Sequence, residues 1–223
     1  ADIGLRNLDV VMGLENRIVY DIVDVVEGRC RLRQAMIRDK RLPELHLIPA
    51  AQTRDKNALS PSDMVRLCDE LRPECDWILV DSPAGIERGF RNAIAPANKV
   101  LIVTNPEVSA VRDADRIIGL IEAEEKGPGY LVVNRIKPEL VRRGDMLAID
   151  DILELLAIEL IGVVPEDDKV VMSTNRGVPI TMNGKSQAGQ AFRLRGADVP
   201  IVDLQDQSGF WGRLSRVFRP GGS

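Results

Sequence analysis

The sequence has little of what membrane-spanning, disulfide-framed or general nucleic-acid-binding chains need. No uninterrupted apolar run exceeds a handful of residues, which excludes a transmembrane helix of about 20 apolar residues within this stretch. Cys30, Cys68 and Cys75 have no metal-ligand spacing and cannot all pair, which fits a reducing, cytosolic-type compartment. Histidine occurs once, and aromatics make up only 4%. Thirty Lys and Arg against 34 Asp and Glu leave a net charge of −4, without the basic excess usual for a nucleic-acid binder. A complete phosphate-cradling loop of the form G-x-x-x-x-G-K-[ST] is missing as well. Gly184-Lys185-Ser186 has the tail of that pattern, but Pro179 stands where its first glycine belongs, and no apolar run leads into it.

What the chain does have is 223 residues, 44% of them apolar, enough for one sizeable α/β domain or at most two small ones. Short Val-, Ile- and Leu-rich runs recur at Leu45–Pro49, Trp77–Val80, Val100–Thr104, Tyr130–Val133 and Leu160–Val164. Runs of this length without alternation predict strands covered on both faces, as in a parallel sheet. Between them lie helical patterns. Ser60-Pro61-Ser62-Asp63 has a capping serine, proline at the first helical position and an early acid, predicting a helix to Leu71. From Val108 to Glu125, Val111, Ala114, Ile117, Ile118 and Ile121 share one face, and Ile149 to Leu160 is a further helical stretch. The alternation predicts an α/β fold, a mainly parallel sheet with helices on both faces. Residues 1–202 read as its main domain, 203–207 as a linker, 208–219 as a separate short helix and 220–223 as a frayed end.

Several polar groups stand where the predicted strands end. Asp81 closes the Trp77–Val80 run and opens Ser82-Pro83-Ala84-Gly85. An acid at the carboxyl end of a buried parallel strand can hold the Mg²⁺ of a nucleotide, or simply cap the next helix. Thr104-Asn105-Pro106, Asn134-Arg135 and Pro165-Glu166-Asp167-Asp168 end other runs, giving a polar rim for a ligand or ordinary turn chemistry. The opening Ala1-Asp2-Ile3-Gly4-Leu5-Arg6-Asn7-Leu8-Asp9 reads by itself as a loop before a helix.

The last residues differ from the rest. From Ser208 onward there are three arginines and no acid, leaving −7 on the preceding chain. On a helical wheel Phe210, Trp211, Leu214, Val217 and Phe218 share an arc of about 120°. Arg213, Arg216 and Arg219 lie opposite. An aromatic apolar face against a purely basic one is the pattern of a helix lying on anionic lipid, each arginine contributing on the order of 1 kcal/mol. Docking onto the chain's own domain, or onto a calmodulin-like partner, are the alternatives. One helix this short binds weakly, so stable attachment calls for two copies.

Taken together, several stretches resemble the MinD family of septum-site-determining ATPases, within the deviant-Walker P-loop class. They are Asp2–Asp9 with Met12-Gly13, Gln52-Thr53-Arg54-Asp55-Lys56, Asp81–Glu87, Thr104–Ser109 with Val111–Arg116, Arg143-Gly144-Asp145-Met146-Leu147, Gly162–Asp167 and the tail helix. The resemblance covers essentially the whole chain. It implies an ATP- and Mg²⁺-dependent homodimer on the inner face of the cell membrane, or in the plastid stroma. Such a switch recruits MinC, is regulated by MinE and does not bind nucleic acid. It also implies roles. Asp2 and Asp81 are the catalytic acids, Asp81 on the metal; Asn134, Arg135, Pro165, Glu166 and Asp167 surround the base. Arg6, Asn7, Glu87, Arg112, Asp113 and Asp115 meet partners. Phe210, Trp211, Arg213, Leu214, Arg216, Val217 and Phe218 meet the membrane.

The departures are specific. The family opens with a strand, a lysine-bearing glycine loop, a helix and a second strand, whereas this sequence starts at Ala1, just past that second strand. Without the loop's backbone N–H groups and lysines, the chain by itself is expected to bind ATP very weakly and hydrolyse none. The stretch Ala191–Gly196 reads as about a turn shorter than the family's corresponding helix. Two other functions fit parts of the pattern. One is a non-catalytic membrane adaptor that keeps the partner face and tail. The other is a ParA-type DNA-segregation ATPase, which the acidic body disfavours.

Overall fold

Ser60 accepts a hydrogen bond from the Asp63 N–H while Asp63 accepts one from the Ser60 N–H. This reciprocal cap, with Pro61 at the first position, fixes the helix start where the sequence places it. The computed structural model describes residues 7–52 and 58–196. In chain order the elements are α1 (Leu8–Val11), α2 (Ile22–Val26), α3 (Leu32–Ala35), β1 (Ile37–Arg38) and β2 (His46–Leu47), then α4 (Pro61–Leu71) and α5 (Arg88–Ile94). They continue with β3 (Val100–Thr104), α6 (Val108–Ala123), β4 (Gly129–Ile136), α7 (Pro138–Arg143), α8 (Ile149–Leu156), β5 (Glu159–Pro165), α9 (Lys169–Asn175) and α10 (Gln187–Gly196). The chain divides into two units, Ala1–Asn98 with Val171–Pro179, and Lys99–Val170 with Ile180–Ser223.

The second unit carries the parallel sheet flanked by helices. Its order is β3-β4-β5, with Val100 to Thr104 paired to Gly129 to Val133 and β4 paired to β5 from Tyr130/Glu159 to Ile136/Pro165. Leu131, Val133, Ile136, Val163 and Val164 are buried. Two register shifts interrupt the β4–β5 ladder. Between Leu131 and Val132 β5 has an extra residue, and between Val133 and Ile136 β4 has one. Each is a bulge that bends its strand and re-aims a side chain. In α6, Val111, Ala114 and Ile121 are buried, while Arg112, Asp113, Asp115 and Arg116 are exposed. Pro138 starts α7, and Gly144 at φ 75° ends it. The Gly144 N–H reaches the Val141 carbonyl and the Asp145 N–H the Leu140 carbonyl, the paired closure for which a left-handed glycine is favoured.

The first unit is built from shorter pieces. Ile22, Val23, Leu32, Leu59, Met64, Leu67 and Leu71 form one apolar cluster, and Met12, Leu14, Ile37 and Leu47 a second. Arg41 holds distant backbone together here. Its guanidinium donates to the Gly177 carbonyl at 2.8 Å and the Met12 carbonyl at 2.6 Å, and pairs with the buried Asp39 at 3.0 Å. Between those carbonyls the backbones at Gly13 and Gly177 approach so closely that a Cβ on Gly177 would stand 2.8 Å from the Gly13 Cα. Both residues also have positive φ, so glycine is required at this crossing twice over.

Four sequence expectations change. Leu45–Pro49 contributes only the two-residue β2, which pairs antiparallel with β1 rather than joining a parallel sheet. Trp77–Val80 forms no strand. Ile78 and Val80 pack on the larger cluster of the first unit, but Trp77 and Leu79 are 63% and 83% exposed. An apolar run becomes a strand only where a neighbouring backbone completes its ladder, and among the described residues none pairs with this one. The helix expected from Ile149 to Leu160 stops at Leu156, because Ala157 turns to φ 48° and Glu159 begins β5. The edge strand β3 also leaves Leu101 and Val103 exposed, so the sheet is not covered on both faces there.

Candidate functional site

The carboxyl ends of three parallel strands gather polar groups on one edge of the second unit. Parallel registers end at Thr104/Val133 and at Ile136/Pro165, so Thr104-Asn105, Asn134-Arg135 and Pro165–Asp167 emerge side by side. Of the strand-end residues read from the sequence, these are the ones the fold brings together.

The bulge in β4 falls on Asn134 and Arg135, and Arg135 takes the left-handed conformation with φ 59°. For a residue with a side chain this costs of order 1 kcal/mol or more. In this geometry the Arg135 guanidinium meets the Glu166 carboxylate with two bonds, Nε to Oε2 at 2.7 Å and one Nη to Oε1 at 3.2 Å. That fork holds the Glu166 carboxyl below the usual carboxylate range against the opposing effect of burial, and raises the guanidinium. The Glu166 N–H also donates to the Ile136 carbonyl. The two strand ends are thereby fastened by backbone and by charge. Asn134 is half-buried, and its side chain takes part in no hydrogen bond among the described residues.

Asp167 is committed differently. Its carboxylate accepts from the Ser186 hydroxyl at 2.7 Å and the Ala188 N–H at 3.4 Å, and its other oxygen from the Lys169 N–H at 3.0 Å. Burial pushes this carboxyl up, but the hydrogen bonds from Ser186 and the surrounding backbone outweigh it and leave it lowered. Ser186 is fully buried and its hydroxyl accepts from the Gly189 N–H, capping α10. Gly184-Lys185-Ser186 thus serves a helix start, not a phosphate. The sequence signal was there, a serine three residues before a glycine N–H at the head of a helical run.

In the first unit Asp81 is exposed just after Trp77–Val80, followed by Gly85 at φ 88° and by Glu87 at the head of α5. Glu87 and Asn7 are exposed, as are Arg112, Asp113 and Asp115 in the second unit. Asp2 and Arg6 lie outside the described residues, as does the tail with Phe210, Trp211, Arg213, Leu214, Arg216, Val217 and Phe218. Among the described residues no three acidic, histidine or cysteine groups cluster as a metal site, and no helix is long and apolar enough to cross a membrane. The residues nevertheless fit the two ends of a metal nucleotide taken separately. Asp81 is a hard oxygen donor of the kind Mg²⁺ takes singly alongside phosphate oxygens. Asn134 offers an acceptor and two donors, as the edge of a heteroaromatic base requires.

No family model matches the chain. It is 51% identical over 226 residues to the septum site-determining protein MinD of Bacillus subtilis, spanning 98% of this chain and 84% of that one. Among solved structures it is similar to the MinC:MinD cell division protein complex of Aquifex aeolicus. That match has 48% identity and a TM-score of 0.81 over 91% of this chain and 84% of that one. It shares its fold with MinD of Pyrococcus horikoshii complexed with Mg-ADP, at 23% identity and a TM-score of 0.74 over 86% and 77% of the two chains. Identity of this extent over nearly the whole chain and most of its relatives' length places the chain in the MinD family of septum site-determining proteins.

Proposed function

We propose that this chain serves in choosing the division site, as a nucleotide-controlled protein that meets MinC and a membrane surface. The observation that carries this reading is the similarity over 98% of the chain to a septum site-determining protein. It is supported by the likeness to a chain solved together with MinC. Together with the family's opening glycine loop, which supplies the phosphate cradle this sequence lacks, Mg-ATP would provide a phosphoryl group activated by the metal's charge. Asp81 gives the anionic oxygen that steadies the metal, with Asp2 as the second acid of the reaction. Asn134 reads the base edge, while Arg135 and Glu166 hold their two strand ends at fixed spacing. Pro165 and Asp167 shape the adjoining turn. Arg112, Asp113 and Asp115 on α6 of the second unit, and separately Arg6, Asn7 and Glu87 of the first, are the residues that meet MinC, MinE and a second copy. The 208–219 helix attaches the dimer reversibly to anionic lipid on the inner face of the membrane.

The test is retention of the chain by immobilised MinC, with Asp113→Ala beside it. Asp113 is exposed, so its removal should leave the fold intact and reduce retention severalfold; equal retention of both proteins would reject the α6 surface. Co-sedimentation with anionic vesicles, with and without Mg-ATP, addresses the control. Nucleotide-dependent sedimentation supports the switch, and nucleotide-independent sedimentation favours the non-catalytic adaptor.

A further inference from the structure

Asn183 is the only asparagine in the sequence that is followed by glycine. The Asn183-Gly184 pair lies in the second unit, between the turn Ile180–Met182 and the head of α10. Such a pair is chemically labile where the glycine nitrogen can reach the side-chain carbonyl carbon of the asparagine, because no Cβ blocks the approach. Three features leave it open here. Gly184 is exposed, and a Cβ built on it would meet only the Arg193 guanidinium, 4.0 Å away. Its N–H makes no hydrogen bond among the described residues. The Asn183 Oδ1 accepts from the Lys185 N–H at 3.1 Å, the local turn that asparagine favours, which holds the carboxamide alongside the intervening Gly184.

We propose that Asn183 is a site of spontaneous deamidation, with water as co-reactant, and that its isoaspartyl product loosens the head of α10. The Gly184 N–H gives its proton to solvent hydroxide, and the nitrogen forms a bond to the Asn183 Cγ. The charge that develops on Oδ1 meets the Lys185 N–H, a donor already in place. The Cγ–Nδ2 bond breaks, and Nδ2 takes a proton from water and leaves as ammonia. Water then opens the cyclic imide at either carbonyl, with no oxidation or reduction. Opening at Cγ gives aspartate. Opening at the main-chain carbonyl gives isoaspartate, in which the chain runs through the side chain and the former carbonyl becomes a free carboxylate.

The second product does not fit the native packing. The Asn183 carbonyl accepts from the Ser186 N–H at 3.1 Å. It also lies so near α10 that a Cβ on Gly189 would stand 3.2 Å from it, and 2.5 Å from the Ile180 carbonyl. A backbone lengthened by a methylene here has no room, and it moves the acceptor away from Ser186. Ser186 in turn holds the Asp167 carboxylate and the Gly189 N–H, so the change reaches the end of β5.

The folded chain is aged in mildly alkaline buffer, and peptide mass mapping with an isoaspartate assay follows each asparagine. Asn183 should lose its amide well ahead of the exposed Asn16 and Asn175, with isoaspartate accumulating at 183. Gly184→Ala, at a position with open space and without positive φ, should fold unchanged and slow the loss about tenfold. In the isoaspartyl protein the Ser186 and Gly189 amides should exchange about tenfold faster. Asn183→Asp, which carries a carboxylate without the longer backbone, should leave them protected. Amide loss at Asn183 no faster than at Asn16 and Asn175, or undiminished in Gly184→Ala, would overturn the site. Unchanged exchange in the isoaspartyl form, or an equal rise in Asn183→Asp, would overturn the loosening. None of these readings involves nucleotide, MinC or lipid, so the outcome is independent of the function proposed above.

Discussion

Two runs of similar composition, Trp77-Ile78-Leu79-Val80 and Val100-Leu101-Ile102-Val103, end up in different states. The second is laddered residue by residue to β4; the first has its side chains half in the core and no ladder. The units around them differ in the same way. One is held chiefly by backbone pairing over buried Leu131, Val133 and Ile136. The other relies on short helices, two apolar clusters and the Arg41 fork onto Asp39, Met12 and Gly177. Side-chain fastening concentrates stability in single residues, whereas a ladder distributes it.

The largest expected effect follows from that contrast. Arg41→Ala strips the buried Asp39 carboxylate of its paired charge and two carbonyls of their donor, and should cost about 4 kcal/mol. Urea unfolding followed by hydrogen exchange should show amides of the first unit exposed first. Equal loss of protection in both units would show that the fork is not local. Leu131→Ala opens a cavity beneath the ladder and should cost about 3 kcal/mol, with exchange rising first in β3–β5.

Acid provides the next comparison. Arg41's hydrogen bond lowers the Asp39 carboxyl from 3.8 to about 2 in the folded protein. The resulting stabilisation, of order 2 kcal/mol, is fully present above the unfolded value near 4. It is lost as pH falls through about 2. A urea midpoint that is flat down to pH about 4 and then drops would bear this out; Asp39→Asn should remove the drop. The smallest effect belongs to the strand-end fork. Arg135 is 60% exposed beside Glu166, so Glu166→Gln should cost less than about 1 kcal/mol in stability. A larger loss would mean that this pair, and not the ladder, holds the ends of β4 and β5 together.

The sequence made β3, β4, β5, α4 and α6 legible because their determinants are local: apolar runs, the Ser60–Asp63 cap, the spacing of Val111, Ala114 and Ile121. Asn134, Arg135, Glu166 and Asp167 could be placed at strand ends for the same reason. Their partners could not. The β4 bulge comes from how two strands count against each other, and the Asp167–Ser186 contact joins residues 19 positions apart. The two-residue β2 and the unladdered Trp77–Val80 were misread because composition reports a preference for strand while the ladder depends on a neighbour.

The Gly13–Gly177 crossing bears on the order in which the molecule can be built. The bond from Arg41 to the Gly177 carbonyl spans 136 positions, and everything from Lys99 to Val170 lies between as the other unit. A ribosome releasing this chain therefore delivers all three strands of β3–β5 before it delivers the piece that closes the first unit. The early residues must wait, incompletely fastened, while the later ones already have all their ladder partners.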